Sequence, residues 1–284
     1  MKFRLNNQDL FIPDHEAEAN ALERTTHLGV GAHQDDLEFM ALHGILECFQ
    51  RADQWFGGVT CTDGGGSARS GPYANYTDSE MKRVRVHEQK VAATIGQYSF
   101  MAQLGHPSTT AKAPTQRQPL VDDLETLLLF TRPQAVYTHQ PFDKHATHIG
   151  VLIALLEAIR RLPQNERPQQ LFGCEVWRGL DWLPDHLKVI QPVDAHPNLA
   201  AALAGVFDSQ IAGGKRYDLA VEGRHCANAT YFDSHSVDAC QRAAYAIDLT
   251  PLIQDDTLTV EVFISEILEQ FTDEVTSLLG QITH

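Results

Sequence analysis

Two kinds of apolar pattern alternate along this chain. Thr26 to Ala32 and Trp55 to Thr62 are short apolar runs followed by Gly/Asp-rich turns, which predicts buried strands. Between them, Leu37 to Phe49 places Met40, Ile45, Leu46 and Phe49 at helical spacing and predicts a helix. The alternation continues with a helix over Asp78 to Ile95, N-capped by Asp78 or Ser79 and stopped by Gly96, and a strand over Tyr98 to Leu104. A helix from Gln118 to Phe130 ends ahead of Arg132-Pro133, and a short strand covers Ala135 to Thr138. A strongly apolar helix then runs from Thr147 to Leu162, where Pro163 ends it.

This rhythm, with crossovers of helical length, predicts an α/β fold built on a mostly parallel sheet with helices on both faces. After about residue 165 the pattern loosens. Gln170 to Val176 and Lys188 to Val193 read as strands, Asn198 to Phe207 as a helix, and Val260 to Ile282 as a long C-terminal helix. No internal repeat or low-complexity linker divides the chain, so residues 1–284 are read as one domain.

Two polar clusters interrupt the pattern where a strand runs into a helix. His33-Gln34-Asp35-Asp36 follows the first strand, and Asp143-Lys144-His145-Ala146-Thr147-His148 follows the strand at Ala135. In an open α/β sheet such turns gather at the carboxyl edge, where ligands bind, so the two clusters are expected to share one site. His33 and Asp36, three residues apart, can point at one spot, and His148 joins them from the second turn. A His-Asp-His set with room for water has the design of catalytic rather than structural zinc. Asp35, beside a ligand but aimed elsewhere, is the candidate general base. The other histidines, among them His27, His43, His87, His106, His186 and His196, are read as surface or core residues.

Composition narrows the function classes. A formal charge of −15 disfavours nucleic acid and anionic membranes, whose recognition rests on Lys and Arg. No segment reaches the ~20 apolar residues of a membrane span, and residues 1–7 show no apolar stretch or cleavage site, so a cytoplasmic location is expected. Five cysteines without a C-x-x-C pair read as reduced thiols. Other catalytic motifs fail on their own terms. His87-Glu88 lacks the second histidine of H-E-x-x-H, Gly64-Gly65-Gly66 lacks the Lys-Ser/Thr of a phosphate loop, and no G-x-S-x-G elbow occurs. Gly29 to Gln34 fails as a dinucleotide fingerprint because Gln34 occupies its last glycine position and His33 fills the turn.

Ala32-His33-Gln34-Asp35-Asp36, Thr62 to Gly71, Arg83 to Gly96 and His145-Ala146-Thr147-His148 together resemble the ordered motifs of the PIG-L/LmbE-like family. The resemblance runs from about Thr26 to Arg161, a core of about 26–161, and leaves 165–284 unmatched. It implies a Rossmann-like fold and a zinc-dependent deacetylase of N-acetylglucosamine derivatives and related amides, with one Zn2+ per chain or another divalent metal such as Fe2+. Carried over by position, it makes His33, Asp36 and His148 the metal ligands, Asp35 the general base, His145 the stabiliser of the oxyanion and Arg69 a substrate-facing arginine. Zinc would polarise the amide carbonyl and lower the water pKa while Asp35 handles the proton. The implied partner is a small N-acetyl sugar or glycoconjugate, and family members often form homo-oligomers.

The chain departs from the family pattern at three positions. Gln34 replaces Pro, Leu37 replaces Glu, and Thr147 stands where an Asp would orient the histidine, a service Asp143 could take over. A catalytically impaired carbohydrate-binding protein is therefore the competing reading, kept open by Thr147 and opposed by the intact Asp35. Beyond the metal, the loop Arg69 to Thr77 and the residues Trp177, Arg178, Trp182, Arg224 and Tyr231 are expected either to line a sugar site or to pack.

Overall fold

Alternation within the central strands fixes the layers. In a computed structural model that describes residues 8–283, eight strands form one sheet: β1 (Asp9–Phe11), β2 (His27–Gly31), β3 (Phe56–Thr62), β4 (Phe100–His106), β5 (Ala135–His139), β6 (Gln170–Cys174), β7 (Lys188–Pro192) and β8 (Ala243–Asp248). Residues 1–7, on which the reading of the N-terminus rests, lie outside the described residues. Val59 and Cys61 of β3, Ala102 and Leu104 of β4 and Val136 of β5 join one core with Leu124, Leu127, Leu152 and Leu155. Their neighbours Phe56, Met101 and Tyr137 face the opposite core, with Leu37, Ile45, Ala92 and Ala93. Period-two strands with both faces apolar need helices on both sides, and they have them.

The strand order is β1-β4-β3-β2-β5-β6-β8-β7. β4, β3, β2, β5 and β6 run parallel, while β1, β8 and β7 join antiparallel. From β2 the chain winds outward to β3 on one side, and β5 lies on the other. The carboxyl ends of β2 and β5 therefore flank the topological switch point, the place where open α/β sheets bind ligands.

Three expectations are corrected in detail. The helix expected over Leu37 to Phe49 is two, Asp36–Met40 and Leu42–Cys48, broken at Ala41 with φ −107 and ψ 17. The cap of helix Asp78–Ile95 is Thr77, whose amide donates to Glu80 at 2.8 Å while its hydroxyl accepts from the Glu80 amide. The C-terminal part also contains a helix, Tyr217–Tyr231, and the strand β8, neither of which the pattern indicated. No helix of the described residues is long and apolar enough to cross a membrane, and all five cysteines are free.

Helix Ala146–Arg161 carries His148, and its fit depends on Gly150. A Cβ there would stand 2.4 Å from the backbone oxygen of Ala111 and 2.7 Å from its carbonyl carbon. Glycine costs a helix interior about 1 kcal/mol relative to alanine, yet overpacking against backbone costs about 1–3 kcal/mol. Gly150→Ala is expected to lower the denaturation midpoint. A raised midpoint would show that the segment at Ala111 yields freely.

Candidate metal centre

β2 brings Ala32 to the sheet edge, and the chain then turns through His33, Gln34 and Asp35 into helix Asp36–Met40. The His33 amide donates to Asp36 Oδ2 at 2.7 Å, which folds Asp36 back over the strand end. His33 Nδ1 stands 3.3 Å from the same oxygen. Across the switch point, His148 lies in the first turn of helix Ala146–Arg161, its Nε2 3.2 Å from His33 Nδ1 and 3.5 Å from Asp36 Oδ1. Ligand atoms about 2.0–2.1 Å from a tetrahedral zinc stand about 3.3–3.4 Å apart, so this spacing fits one shared cation.

Neighbouring groups prepare these atoms. Asp143 Oδ2 lies 3.2 Å from His148 Nδ1, so that nitrogen carries the proton and Nε2 presents its lone pair to the centre. His139, at the end of β5, stacks on His148 with ring centroids 3.8 Å apart and approaches Asp36 Oδ2 at 3.4 Å. It too belongs to a group able to hold a metal, with Asp36 and His148. However, the Ala32 amide donates to His139 Nε2 at 2.9 Å and uses the lone pair that would bind. Burial opposes the charge on Asp36, but His148, His139 and His33 around it hold its pKa well below the usual carboxylate range.

His145 sits within the same cluster, grouped with His33 and His148. Burial first, and then the neighbouring His148, bring its pKa down to about 4, so it is neutral near pH 7. No carboxylate orients its ring. Asp143 spends its oxygens on the His145 amide at 3.0 Å, on His148 and on the Trp177 amide at 3.2 Å, and His145 Nδ1 is buried without a partner among the described residues.

Asp35 occupies the turn itself, with φ +97, a conformation that costs a non-glycine residue free energy. It is buried, and burial raises its pKa well above the ordinary value against the pull of Arg85, whose guanidinium lies 3.3 Å from Oδ2. Arg85 also donates to Ser67 Oγ at 3.2 Å and to the carbonyl of Gln34, and the Gln89 side chain accepts from the Asp35 amide at 3.2 Å. Helix Asp78–Ile95 thus clamps the turn that carries Asp35.

These groups open into a cavity of about 620 Å³ lined by His33, Asp35, Asp36, His145, Trp177 and Tyr217, among others. That size suits a small organic ligand. Arg69 is not part of the lining. Its guanidinium donates to the carbonyls of Tyr76 at 2.9 Å and Gly65 at 2.7 Å and pairs with Asp78, bracing the loop whose residues Gly66, Ser67 and Ala68 form a wall. Of the C-terminal residues singled out in the sequence, Trp177 and Arg224 line the cavity, Trp182 packs between Phe142 and Phe271, and Tyr231 is exposed. Arg178 lines a separate, smaller cleft beside Trp182.

Fold and site define an α/β protein with a His/Asp cluster able to hold a metal ion at the switch point of a mostly parallel sheet. Residues 28–159 match the family model PIG-L, GlcNAc-PI de-N-acetylase. No curated protein matches it by sequence. Among solved structures, the conserved protein TT1542 from Thermus thermophilus superposes with TM-score 0.62 at 18% identity over 83% of this chain and 100% of its own. The N,N'-diacetylchitobiose deacetylase of Pyrococcus horikoshii gives 0.62 at 14% over 88% and 93%. GalB, the 4-carboxy-2-hydroxymuconate hydratase of Pseudomonas putida KT2440, gives 0.61 at 16% over 79% and 96%. At these identities the likeness is one of fold, and that fold serves both a deacetylase and a hydratase.

Proposed function

We propose that this protein is a zinc-dependent hydrolase that removes an acetyl or similar acyl group from the nitrogen of an N-acetylglucosamine-type sugar in the cytoplasm, its 284 residues acting as one domain. The observation that carries this reading is the 3.2–3.5 Å spacing of His33, Asp36 and His148 ligand atoms with the buried Asp35 in the adjoining turn. A divalent ion held by these three residues supplies Lewis acidity to the amide carbonyl and makes water a competent nucleophile near neutral pH.

The chain's own residues do the rest. Asp35, kept ionisable by Arg85, takes a proton from the attacking water and returns it to the nitrogen as the C–N bond breaks, and the new carboxyl group's proton then passes to the amine, so amide and water become carboxylate and ammonium. His145, neutral, donates an N–H to the carbonyl oxygen as that oxygen gains charge. Arg69 serves substrate binding by holding the Gly66–Ala68 wall in place. A carbohydrate-binding protein without turnover would have no use for a carboxylate buried at φ +97 beside an arginine, since that arrangement costs stability.

The test is release of acetate from N-acetyl sugars, their glycosides and simple acyl amides by zinc-loaded protein, abolished by chelation and restored by the metal. Loaded protein that binds these sugars but releases nothing from any of them would be the binding module instead.

A further inference from the structure

The chain carries a net charge of −15, yet the cavity walls away from the His/Asp cluster are basic. Every carboxylate lining the cavity is answered. Asp35 faces Arg85, Asp36 faces the histidines, Asp63 pairs with Lys82 at 2.6 Å, and Glu175 accepts from the amides of Leu180 and Tyr245 at 3.0 and 3.1 Å and from Asn228. Arg216 is likewise paired, with Asp218 at 2.7 Å. Three lining cations make no direct ion pair among the described residues, Lys112, Lys215 and Arg224, and of these Arg224 lies close enough to Glu175 to oppose the rise that burial imposes on its carboxyl pKa.

Two of these converge on one piece of wall. Lys215 Nζ lies 5.4 Å from the centroid of the Trp177 ring, and Arg224 donates to the carbonyl of the preceding residue, Val176. Trp177 in turn lies nearly parallel to His145 with centroids 6.1 Å apart, so this wall adjoins the reacting end of the cavity. A lysine resting on a ring face keeps N–H donors free, and Arg224 spends only part of its fork on Val176. An unpaired lysine beside an arginine that Glu175 only partly offsets, in a partly apolar cavity, makes a receptor for an anion.

We infer that the substrate carries an anionic group, a carboxylate or a phosphate, which Lys215 and Arg224 seat against Trp177 while the acylated nitrogen faces Asp35 and His145. This rests on the cavity being the substrate site proposed above. Lys112 lines the same cavity and adds to the attraction without a defined partner.

The experiment titrates the Asp35→Asn protein, without added metal, with N-acetylglucosamine, N-acetylglucosamine 1-phosphate and N-acetylmuramic acid, following tryptophan fluorescence and calorimetric heat. At low ionic strength at least one anionic sugar is expected to bind about tenfold or more tightly than the neutral one, with the advantage shrinking as salt is added. The phosphate and carboxylate arms tell which anion fits. The ratio of dissociation constants should fall toward one in Lys215→Ala and below one in Lys215→Glu, changes on an exposed side chain that leave the fold intact. A ratio near one in the parent, a ratio unmoved when Lys215→Ala is combined with Arg224→Gln, or no binding of any of the three would overturn the inference. An anion preference in protein that, with Asp35 intact and zinc bound, releases no acetate would instead remove the deacetylase reading and leave the anion site standing.

Discussion

Asp35→Asn is expected to lower turnover by about 10²–10⁴-fold while leaving metal content unchanged. The substitution is a clean probe because asparagine tolerates the positive φ of this position better than most residues. Its amide keeps the shape of the carboxylate, and its backbone N–H still donates to Gln89. What disappears is the proposed proton acceptor beside Arg85. If the variant hydrolysed substrate at a near wild-type rate, the base would have to be sought elsewhere, and the strained turn would need a structural explanation. Normal metal content is the control that keeps loss of the base distinct from loss of the site.

The parts of the molecule that periodicity reveals are those whose faces are set by the core. β2 to β5 and their crossover helices were legible because each strand is apolar on both sides and each helix has a clear stop. β8 escaped because Ala243-Ala244-Tyr245-Ala246 lacks β-branched residues, and its strand conformation comes from antiparallel pairing with β6 and β7. Helix Tyr217–Tyr231 escaped because it mixes apolar and charged residues around Gly223 and is held by tertiary contacts, among them Asn228 with Glu175.

The centre divides in the same way. His33, Asp35, Asp36, His145 and His148 were readable from two strand-to-helix turns, and the structure brings all five together. Arg85 and His139 were not, since one is an ordinary helical arginine and the other the last residue of a strand until the fold places them. A positional signal was available for His139: a polar residue ending a β5 strand at the carboxyl edge of the sheet. Asp143 was read as a stand-in for the aspartate that Thr147 replaces in orienting His145, whereas the ring it contacts is that of His148, and it reaches His145 only at the backbone amide.

His148→Ala and Asp143→Asn together separate holding the ion from preparing its ligand. On the proposed reading His148 is one of three ligands in a site that is buried at Asp36 and His148, so its removal would leave a His-carboxylate pair unable to retain stoichiometric metal. Purified His148→Ala is expected to contain little divalent metal and to show no activity at any zinc concentration that the protein survives. Asp143→Asn removes only the charge behind His148 Nδ1, and losses of this kind weaken metal binding by about 10–100-fold. That variant should emerge metal-poor yet regain activity as zinc is added, its activation curve displaced to higher concentration. Stoichiometric metal in His148→Ala would exclude it as a ligand and turn attention to His145, which shares the cluster. An Asp143→Asn activation curve that coincided with wild type would mean that the carboxylate serves the Trp177 and His145 amides alone.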